Sequence, residues 1–284
     1  MGKTRIVGDS TCDLSQPIKE RLGIGQIPLY VNLDGKSYRD GVDITPDDIY
    51  AYVERTHEIP KTAAPSVQDY IDAFSPWVEA GEDVVYLPIS SQMSSSMQNA
   101  RIAAESFGAG RVRVVDSKNL STGIGLLVMM AAEMAQQGAS AEDCARAVEG
   151  ATGRVHASFI VETVRYLYMG GRVNALTMMG ASALRIHPKI VVTDGQMHPA
   201  QKYRGSMERA MEAYCRDELR NLERIDPKRI FITHSGCKPE WLELMQGYIA
   251  QHMAFDEVLK TRAGCVITSH CGPNTLGILY MDKA

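Results

Sequence analysis

The sequence predicts an α/β fold of two domains, a doubly wound domain with a mainly parallel sheet followed by a smaller α/β domain with a mixed sheet. A chain of 284 residues is long for one hydrophobic core and fits two domains of ordinary size. In residues 1–153, short apolar strand patterns alternate with helical patterns, as in a parallel sheet covered on both faces. In residues 154–284, hairpin patterns are mixed with helices, which indicates a mixed sheet. We therefore expect the domain boundary near Gly153.

The first domain repeats one arrangement, in which an apolar strand leads into a polar turn and then a helix. The strand Thr4–Gly8 leads into Asp9–Asp13, and the apolar run Val84–Ile89 leads into a serine-rich turn. Thr62 lies in a loop of small residues just before another helix. The other predicted elements are a hairpin about Asp34-Gly35, a strand Arg111–Val115, helices after Ser15, Thr45, Ser66 and Ser140, and a long helix Leu120–Gln137.

The second domain contains a short helix that Gly170-Gly171 ends and a hairpin with Asp194-Gly195 at its turn. The segment Ala263–Pro273 is predicted to be strand-like, ending in a turn where glycine and proline surround His270. The other predicted elements are strands Val155–Val161, Arg229–Thr233, Glu257–Thr261 and Leu276–Met281 and helices Thr163–Met169, Ser206–Leu222 and Pro239–His252.

Composition and charge favour a cytoplasmic globular protein. Hydrophobic residues make up 45% of the chain and charged residues 23%, and the net charge of −4 gives no reason to expect nucleic acid. The six cysteines form no C-x-x-C pair, which indicates reduced thiols and no metal site. The N-terminus enters a strand at once, leaving no room for a signal peptide. The longest apolar run, Gly123–Ala132, is too short to span a bilayer, so no integral membrane segment is expected.

The most informative stretch is Ser90–Ser96, which contains five serines in seven residues. It lies at the carboxyl end of a predicted strand and the amino end of a predicted helix, where open α/β sheets bind their ligands. Backbone N–H groups and the helix dipole favour an anion there, and small hydroxyl side chains can donate further hydrogen bonds. A second interpretation stays open: Ser94 or Ser96 only caps the helix, and the other serines line a polar turn.

Common catalytic motifs are missing from the sequence, which has no P-loop, no H-E-x-x-H and no G-x-S-x-G. Asp9 and Asp116 both close predicted strands and could hold a metal, but an aspartate at such a position more often caps a helix. A single histidine such as His270 is more often a structural residue than a ligand. The remaining chemistry consists of neutral hydroxyl groups and one imidazole.

Five segments resemble motifs of the DegV family of bacterial fatty-acid-binding proteins and occur in the family's order. Each motif alone is unspecific, but five in register indicate the family. The five segments, each followed by the family motif that it resembles, are Asp9–Leu14 (family D-S-T-x-D-L), Thr62–Ser66 (family T-S-Q-P-S), Ser90–Ser96 (family S-S-x-L-S-G-T), Leu167–Arg172 (family Y-L-x-x-G-G-R) and His270–Pro273 (family H-x-G-P).

The resemblance implies a non-enzymatic protein that holds a long-chain fatty acid in the cleft between its domains, without a cofactor or metal. It implies that Thr62, Ser94 and His270 bind the carboxylate, and we add Ser95 to these candidates. It also implies a partner, the ATP-binding subunit of a fatty-acid kinase, which makes an acyl phosphate for phospholipid synthesis and contacts Arg172. Ser95 stands where the family has glycine, so the backbone there is expected to be less permissive.

Two alternative functions stay open at this point. Dihydroxyacetone kinases have a related fold, and a histidine of their site binds a small keto substrate covalently. A metal-dependent phosphatase would use Asp9 and Asp116. The 15 methionines suit a flexible acyl chain, because thioethers adapt to irregular apolar shapes, although most of them are expected to pack in the core.

Overall fold

The computed structural model describes residues 3–172 and 186–284, which fold into two compact units of similar length. The first unit comprises Met1–Ile44, Thr62–Gly153 and Asp194–Gln196, and the second comprises Thr45–Lys61, Arg154–Thr193 and Met197–Ala284. The second unit is therefore not the smaller one that the sequence suggested. A single division after residue 153 also misses Thr45–Lys61, which belongs to the second unit although it lies early in the chain.

The elements are numbered along the chain. Those up to residue 151 are β1 (Thr4–Asp9), α1 (Gln16–Leu22), β2 (Gly25–Ile27), β3 (Tyr30–Leu33), β4 (Lys36–Arg39), α2 (Pro46–Thr56), β5 (Lys61–Ala63), α3 (Val67–Glu79), β6 (Asp83–Leu87), α4 (Ser96–Ala104), β7 (Val112–Val114), α5 (Thr122–Gln136) and α6 (Ala141–Ala151). The later ones are β8 (Val155–Ile160), α7 (Arg165–Met169), β9 (Ile186–Thr193), β10 (Gln196–Arg204), α8 (Met207–Glu218), β11 (Ile225–His234), α9 (Pro239–His252), β12 (Glu257–Arg262), α10 (Cys265–Cys271) and β13 (Leu276–Asp282).

The first unit is built on a parallel sheet with strand order β2-β1-β6-β7, as the sequence predicts. On one face, Tyr70 and Phe74 of α3 pack against Tyr86 of β6 in a fully buried aromatic cluster. On the opposite face, Gly8 of β1 lies against Val128 of α5. The helices on both faces leave the ends of the strands as the places where loops can collect polar groups.

The second unit contains a six-stranded mixed sheet with strand order β10-β9-β8-β13-β11-β12. The pairing of β11 with β12 is parallel, whereas β8 with β9, β8 with β13 and β11 with β13 are antiparallel. Tyr214 of α8 joins this sheet through its hydroxyl group, which donates to the Ser158 carbonyl at 2.8 Å and accepts from the Ile278 N–H at 2.8 Å. The predicted mixed sheet is therefore confirmed.

Both predicted hairpin turns are present. Asp34 and Gly35 have φ values of 49° and 74°, and Asp194 and Gly195 have 50° and 79°. Positive φ at both central residues is the geometry that Asp-Gly turns favour, because it matches the twist of the two strands. Within the described residues, no helix has both the length and the apolar character that crossing a membrane requires.

The prediction of a strand-like segment at Ala263–Pro273 is wrong, because Cys265–Cys271 forms the helix α10. Six of its seven residues are buried, and only His270 is partly exposed. A helix buried on nearly every side has no polar face, so its sequence lacks the usual helical periodicity. The β-branched run Val266-Ile267-Thr268 then resembles a strand.

A buried carboxylate connects the two central strands of the first unit at their carboxyl ends. Asp9 accepts hydrogen bonds from the Thr11 N–H at 3.0 Å, the Thr11 hydroxyl at 2.5 Å and the Ile89 N–H at 2.8 Å. Its side chain therefore fixes the loop after β1 and the loop after β6 relative to each other. Burial raises the pKa of Asp9 from 3.8 to about 6, although the hydrogen bonds oppose that increase.

Asp9→Asn tests this buried carboxylate through the pH dependence of stability. Because the pKa of Asp9 is higher in the folded state than in the unfolded state, protonated Asp9 favours folding, and that contribution is lost as the pH rises through about 6. Lowering the pH from about 7.5 to about 5 should therefore raise the free energy of unfolding of the parent protein by about 1.4 kcal/mol relative to the variant.

Urea titrations of both proteins at several pH values measure this difference. Asp43→Asn is the matched control, because a hydrogen bond from Arg39 lowers the pKa of Asp43 to about 2, below the tested range. A difference between parent and Asp9→Asn that stays constant from pH ~7.5 to ~5 would contradict the raised pKa.

Candidate functional site

The serine-rich turn follows β6 at the carboxyl edge of the parallel sheet. Ser90 is fully buried, and its N–H donates to the Asn119 carbonyl at 2.9 Å, so the turn is held beside the loop after β7. The Ser90 hydroxyl donates to the Gly195 carbonyl at 2.7 Å. Ser90 therefore anchors the turn, while Ser94 is half-buried and Ser95 is exposed.

The structure shows which of the serines takes part in capping α4. The N-cap residue of α4 is Ser95, and its side chain makes no capping hydrogen bond. The Ser94 hydroxyl accepts a hydrogen bond from the Ser96 N–H at 3.2 Å. It is also hydrogen-bonded to the Ser96 hydroxyl at 2.8 Å. Ser94 therefore caps one backbone N–H group in the first turn of α4, whereas the exposed Ser95 hydroxyl caps none.

Replacement of the family's glycine by Ser95 causes no backbone strain. Ser95 has φ −78° and ψ 1°, a conformation that any residue can adopt. The expectation of a less permissive backbone therefore has no consequence in this turn.

Thr62 precedes a segment that is hydrogen-bonded to α4 within the first unit. It lies in the short strand β5 and not in a loop, and it is half-buried. The segment that follows is fixed by the predicted capping box, in which Ser66 Oγ accepts from the Asp69 N–H at 3.1 Å and the Ser66 N–H donates to Asp69 Oδ2 at 2.8 Å. Asn99 of α4 donates from Nδ2 to the Pro65 carbonyl at 2.8 Å.

Asn99 is a residue that the sequence analysis missed. Its side chain joins α4 to the segment that carries Thr62, across 34 positions of sequence. The sequence contained one indication of this role: an asparagine near the start of a predicted helix is a poor helix former, and its side chain often bonds to backbone groups.

The second strand-closing aspartate, Asp116, ties the serine turn to the loop after β7. Its carboxylate accepts from the Ser91 N–H at 3.2 Å, the Ser91 hydroxyl at 2.5 Å and the Lys118 N–H at 3.0 Å. Asp9 caps the short 3₁₀ turn Ser10–Cys12, as expected of an aspartate at a strand end, whereas Asp116 bonds to two loops and caps no described helix.

Unusual backbone conformations gather at the same edge of the sheet. Asp13, Lys118 and Ser121 have φ values of 51°, 48° and 50°. Ser121 also has ψ −143°, a combination that is nearly restricted to glycine, and its hydroxyl donates to Asp13 Oδ2. Such strain persists only where the surrounding hydrogen bonds hold it, and it is common at binding sites.

His270 lies in the last turn of α10, in the second unit, where it packs against the segment after α7. A Cβ atom built on Gly170 would lie 2.5 Å from His270 Nδ1, so only the bare glycine backbone fits against the ring. Burial lowers the pKa of His270 to about 4, and the charge of Arg172 contributes to the decrease. The imidazole is therefore neutral at pH ~7 and can donate one hydrogen bond to a carboxylate.

Arg172 is exposed on the turn after α7. Its Nη1 donates to the Gly170 carbonyl at 2.8 Å, and its N–H donates to the Leu167 carbonyl at 3.2 Å. The adjacent Tyr168 and Met169 are 55% and 49% exposed, large values for apolar side chains. Arg172 therefore belongs to a surface that combines one cation with two apolar groups.

The candidate residues fall into two sets. In the first unit, the Asn99 hydrogen bond joins α4, which begins directly after Ser95, to Pro65, three residues after Thr62. The second unit brings His270 and Arg172 to the two ends of the Gly170–Arg172 turn.

Comparison with known proteins identifies the family. A family model described as "Uncharacterised protein, DegV family" matches residues 3–283. A DegV domain-containing protein of Deinococcus radiodurans is 30% identical over 274 residues, which are 96% of each chain.

Solved structures share the fold over almost the whole chain. A DegV family protein from Thermus thermophilus, described as binding fatty acid, is 31% identical with a TM-score of 0.88 over 99% of this chain and all of that one. A stearic acid-binding protein from Eubacterium ventriosum is 28% identical with a TM-score of 0.83 over 99% of this chain and 98% of that one. The two-domain α/β architecture and the family resemblance are thus confirmed, and the chain belongs to the DegV family.

Proposed function

We propose that this protein binds a long-chain fatty acid and presents its carboxylate to a separate ATP-dependent kinase, which forms an acyl phosphate for phospholipid synthesis. The observation that carries the proposal is the hydroxyl-rich turn at the amino end of α4, in a chain whose solved relatives bind fatty acids. The protein itself is then a carrier and not an enzyme.

The headgroup contacts follow from the chemistry of the candidate residues. Thr62, Ser94 and Ser95 offer hydroxyl donors, and the amino end of α4 adds backbone N–H groups and the positive end of its dipole. His270 adds a neutral imidazole N–H, because its lowered pKa keeps it uncharged at pH ~7. Such donors suit a carboxylate, which accepts hydrogen bonds at both oxygens.

Most of the affinity is expected to come from the acyl chain. Burial of a methylene group contributes about 0.8 kcal/mol, so a long chain contributes about ten kcal/mol before the costs of association. The hydrogen bonds to the carboxylate add less and fix the orientation of the ligand. The acid therefore keeps a defined headgroup position that a second protein can recognise.

The kinase step is assigned to a partner because the sequence carries no phosphate-binding loop. The exposed Arg172 is the proposed contact residue, since a planar guanidinium can pair with a carboxylate through two hydrogen bonds. Its anchorage to the Gly170 carbonyl supports a fixed position on the surface.

Freshly purified protein should carry a long-chain fatty acid in near-stoichiometric amount. Native mass spectrometry detects the bound mass, and solvent extraction releases the ligand for identification. Preparations that contain no lipid and take up neither palmitate nor oleate would overturn the proposal. An adduct that survives denaturation would instead favour the enzyme that binds a small keto substrate covalently.

Ser94→Ala and His270→Ala should each raise the fatty-acid dissociation constant by roughly tenfold to a hundredfold. Each variant loses one hydrogen bond to a charged group, which is worth about 1.5–3 kcal/mol, while burial of the acyl chain retains part of the affinity. A lipid-displacement titration measures both constants.

Ser140→Ala is the matched control for Ser94→Ala. Ser140 caps α6 by accepting from the Asp143 N–H at 3.1 Å, next to the amino end of β1, where the Thr4 hydroxyl donates to the Ala139 carbonyl at 3.0 Å. The control should lose stability but keep the parent affinity. Parent-like affinity in both Ser94→Ala and His270→Ala would refute their assigned roles.

Arg172→Ala should separate lipid binding from presentation. We expect the variant to keep its fatty acid and its melting temperature, and to lose acyl-phosphate formation with ATP and the cognate kinase. Arg220→Ala, which removes another exposed arginine of the second unit, should support the reaction normally. Loss of the lipid from Arg172→Ala would place this residue in the headgroup site, and normal phosphorylation would remove it from the kinase contact.

A further inference from the structure

Two glycines allow α7 and α10 of the second unit to pack closely against each other. A Cβ atom on Gly170 would lie 2.5 Å from His270 Nδ1, and a Cβ atom on Gly272 would lie 2.5 Å from Tyr166 Cδ2. Each glycine therefore lies against a ring carried by the other segment. The approach is too close for any side chain, so the position of the His270 ring depends on the backbone at residue 170.

The two adjacent glycines after α7 are required for different reasons. Gly171 has φ 66°, a left-handed conformation that favours glycine, and a Cβ atom there would meet nothing within 4 Å. Gly170 has φ −74° and ψ −8°, which any residue can adopt. Backbone conformation thus explains Gly171 but not Gly170. At residue 170 a Cβ atom would meet His270 Nδ1 at 2.5 Å and the Tyr166 carbonyl oxygen at 3.0 Å, and the imidazole is the closer of the two.

We infer that Gly170 is a positioning residue for ligand binding: its bare backbone seats the His270 ring along the Nδ1 edge, so that Nε2 is the nitrogen that donates to the fatty-acid carboxylate. This inference rests on the proposed function of His270. His270 Nδ1 is buried, and Nδ1 and Cε1 are the ring atoms nearest to a Cβ atom on Gly170, at 2.5 and 3.3 Å, so Nε2 is the ring nitrogen that faces away from this glycine.

The turn that begins with Gly170 also contains the exposed Arg172. Arg172 Nη1 donates to the Gly170 carbonyl, and the N–H of Gly170 donates to the Tyr166 carbonyl at 2.8 Å. The hydrogen bond to Tyr166 therefore holds Gly170 against the end of α7, while its Cα atom packs against the imidazole of His270. A partner that contacts Arg172 would touch the turn that holds the headgroup-binding ring.

Gly170→Ala tests the inference, with Gly171→Ala as the matched control. The added methyl group should displace the ring from its buried seat. NMR titration of His270 should then show its pKa rising from about 4 towards its ordinary value of 6.5, and the fatty-acid dissociation constant should rise roughly tenfold or more. Gly171→Ala should lower the melting temperature, because alanine is strained at the φ of 66° that glycine adopts readily, but it should leave the pKa and the affinity close to those of the parent.

An unchanged pKa and affinity in Gly170→Ala, or equal changes in Gly171→Ala, would overturn the inference. If Gly170→Ala is too unstable to purify, the double variant Gly170→Ala/His270→Ala decides, because removal of the imidazole opens room for the methyl group. Restored folding of the double variant supports the inference, and failure to fold contradicts it.

The experiment also separates this inference from the proposed function. If His270→Ala binds fatty acid as tightly as the parent while Gly170→Ala still shifts the His270 pKa, His270 has no part in binding and the proposed headgroup contact fails. The packing of His270 on Gly170 would then stand without a role in ligand binding.

Discussion

The Asp9 carboxylate holds together the ends of the two central strands from which the hydroxyl-bearing loops begin. It is fully buried, and it binds the loop after β1 through Thr11 and the loop after β6 through the Ile89 N–H. Burial of an ionised carboxylate is unfavourable, which its raised pKa expresses. The same edge also contains the strained Ser121 backbone. The first unit therefore gives up stability here to keep two polar loops in a fixed arrangement.

The proposed headgroup contacts are neutral, and this has a consequence for the ligand. Serine and threonine hydroxyls and an uncharged imidazole can orient a carboxylate without forming an ion pair with it. Because the pKa of His270 is about 4, the imidazole keeps one protonation state across physiological pH. A carboxylate held in this way remains ionised and chemically unmodified, which the proposed phosphorylation by a second protein requires.

Local chemistry explains which parts of the structure the sequence could predict. The capping box of Ser66 and Asp69 and the turn at Asp34-Gly35 depend on neighbouring residues, and both are present. The helix α10 was not predictable from its pattern, since burial on nearly all sides removes the periodicity that distinguishes a helix from a strand. The membership of Thr45–Lys61 in the second unit depends on contacts far along the chain, such as the Tyr50 hydroxyl donating to the Ser235 carbonyl at 2.6 Å.

The glycines show what a sequence motif does not reveal, namely the physical reason why a glycine is needed at a position. The family's glycine at residue 95 suggested a need for an unusual backbone, yet Ser95 stands there with an ordinary φ of −78°. Gly170 and Gly171 look equivalent in sequence, but only Gly171 has a left-handed backbone. A glycine can be required by its φ value or by a neighbour that leaves no room for Cβ, and sequence alone does not distinguish these causes. At Gly170 the neighbour is the candidate ligand-binding histidine, so the second cause links the G-G-R motif to the H-x-G-P motif.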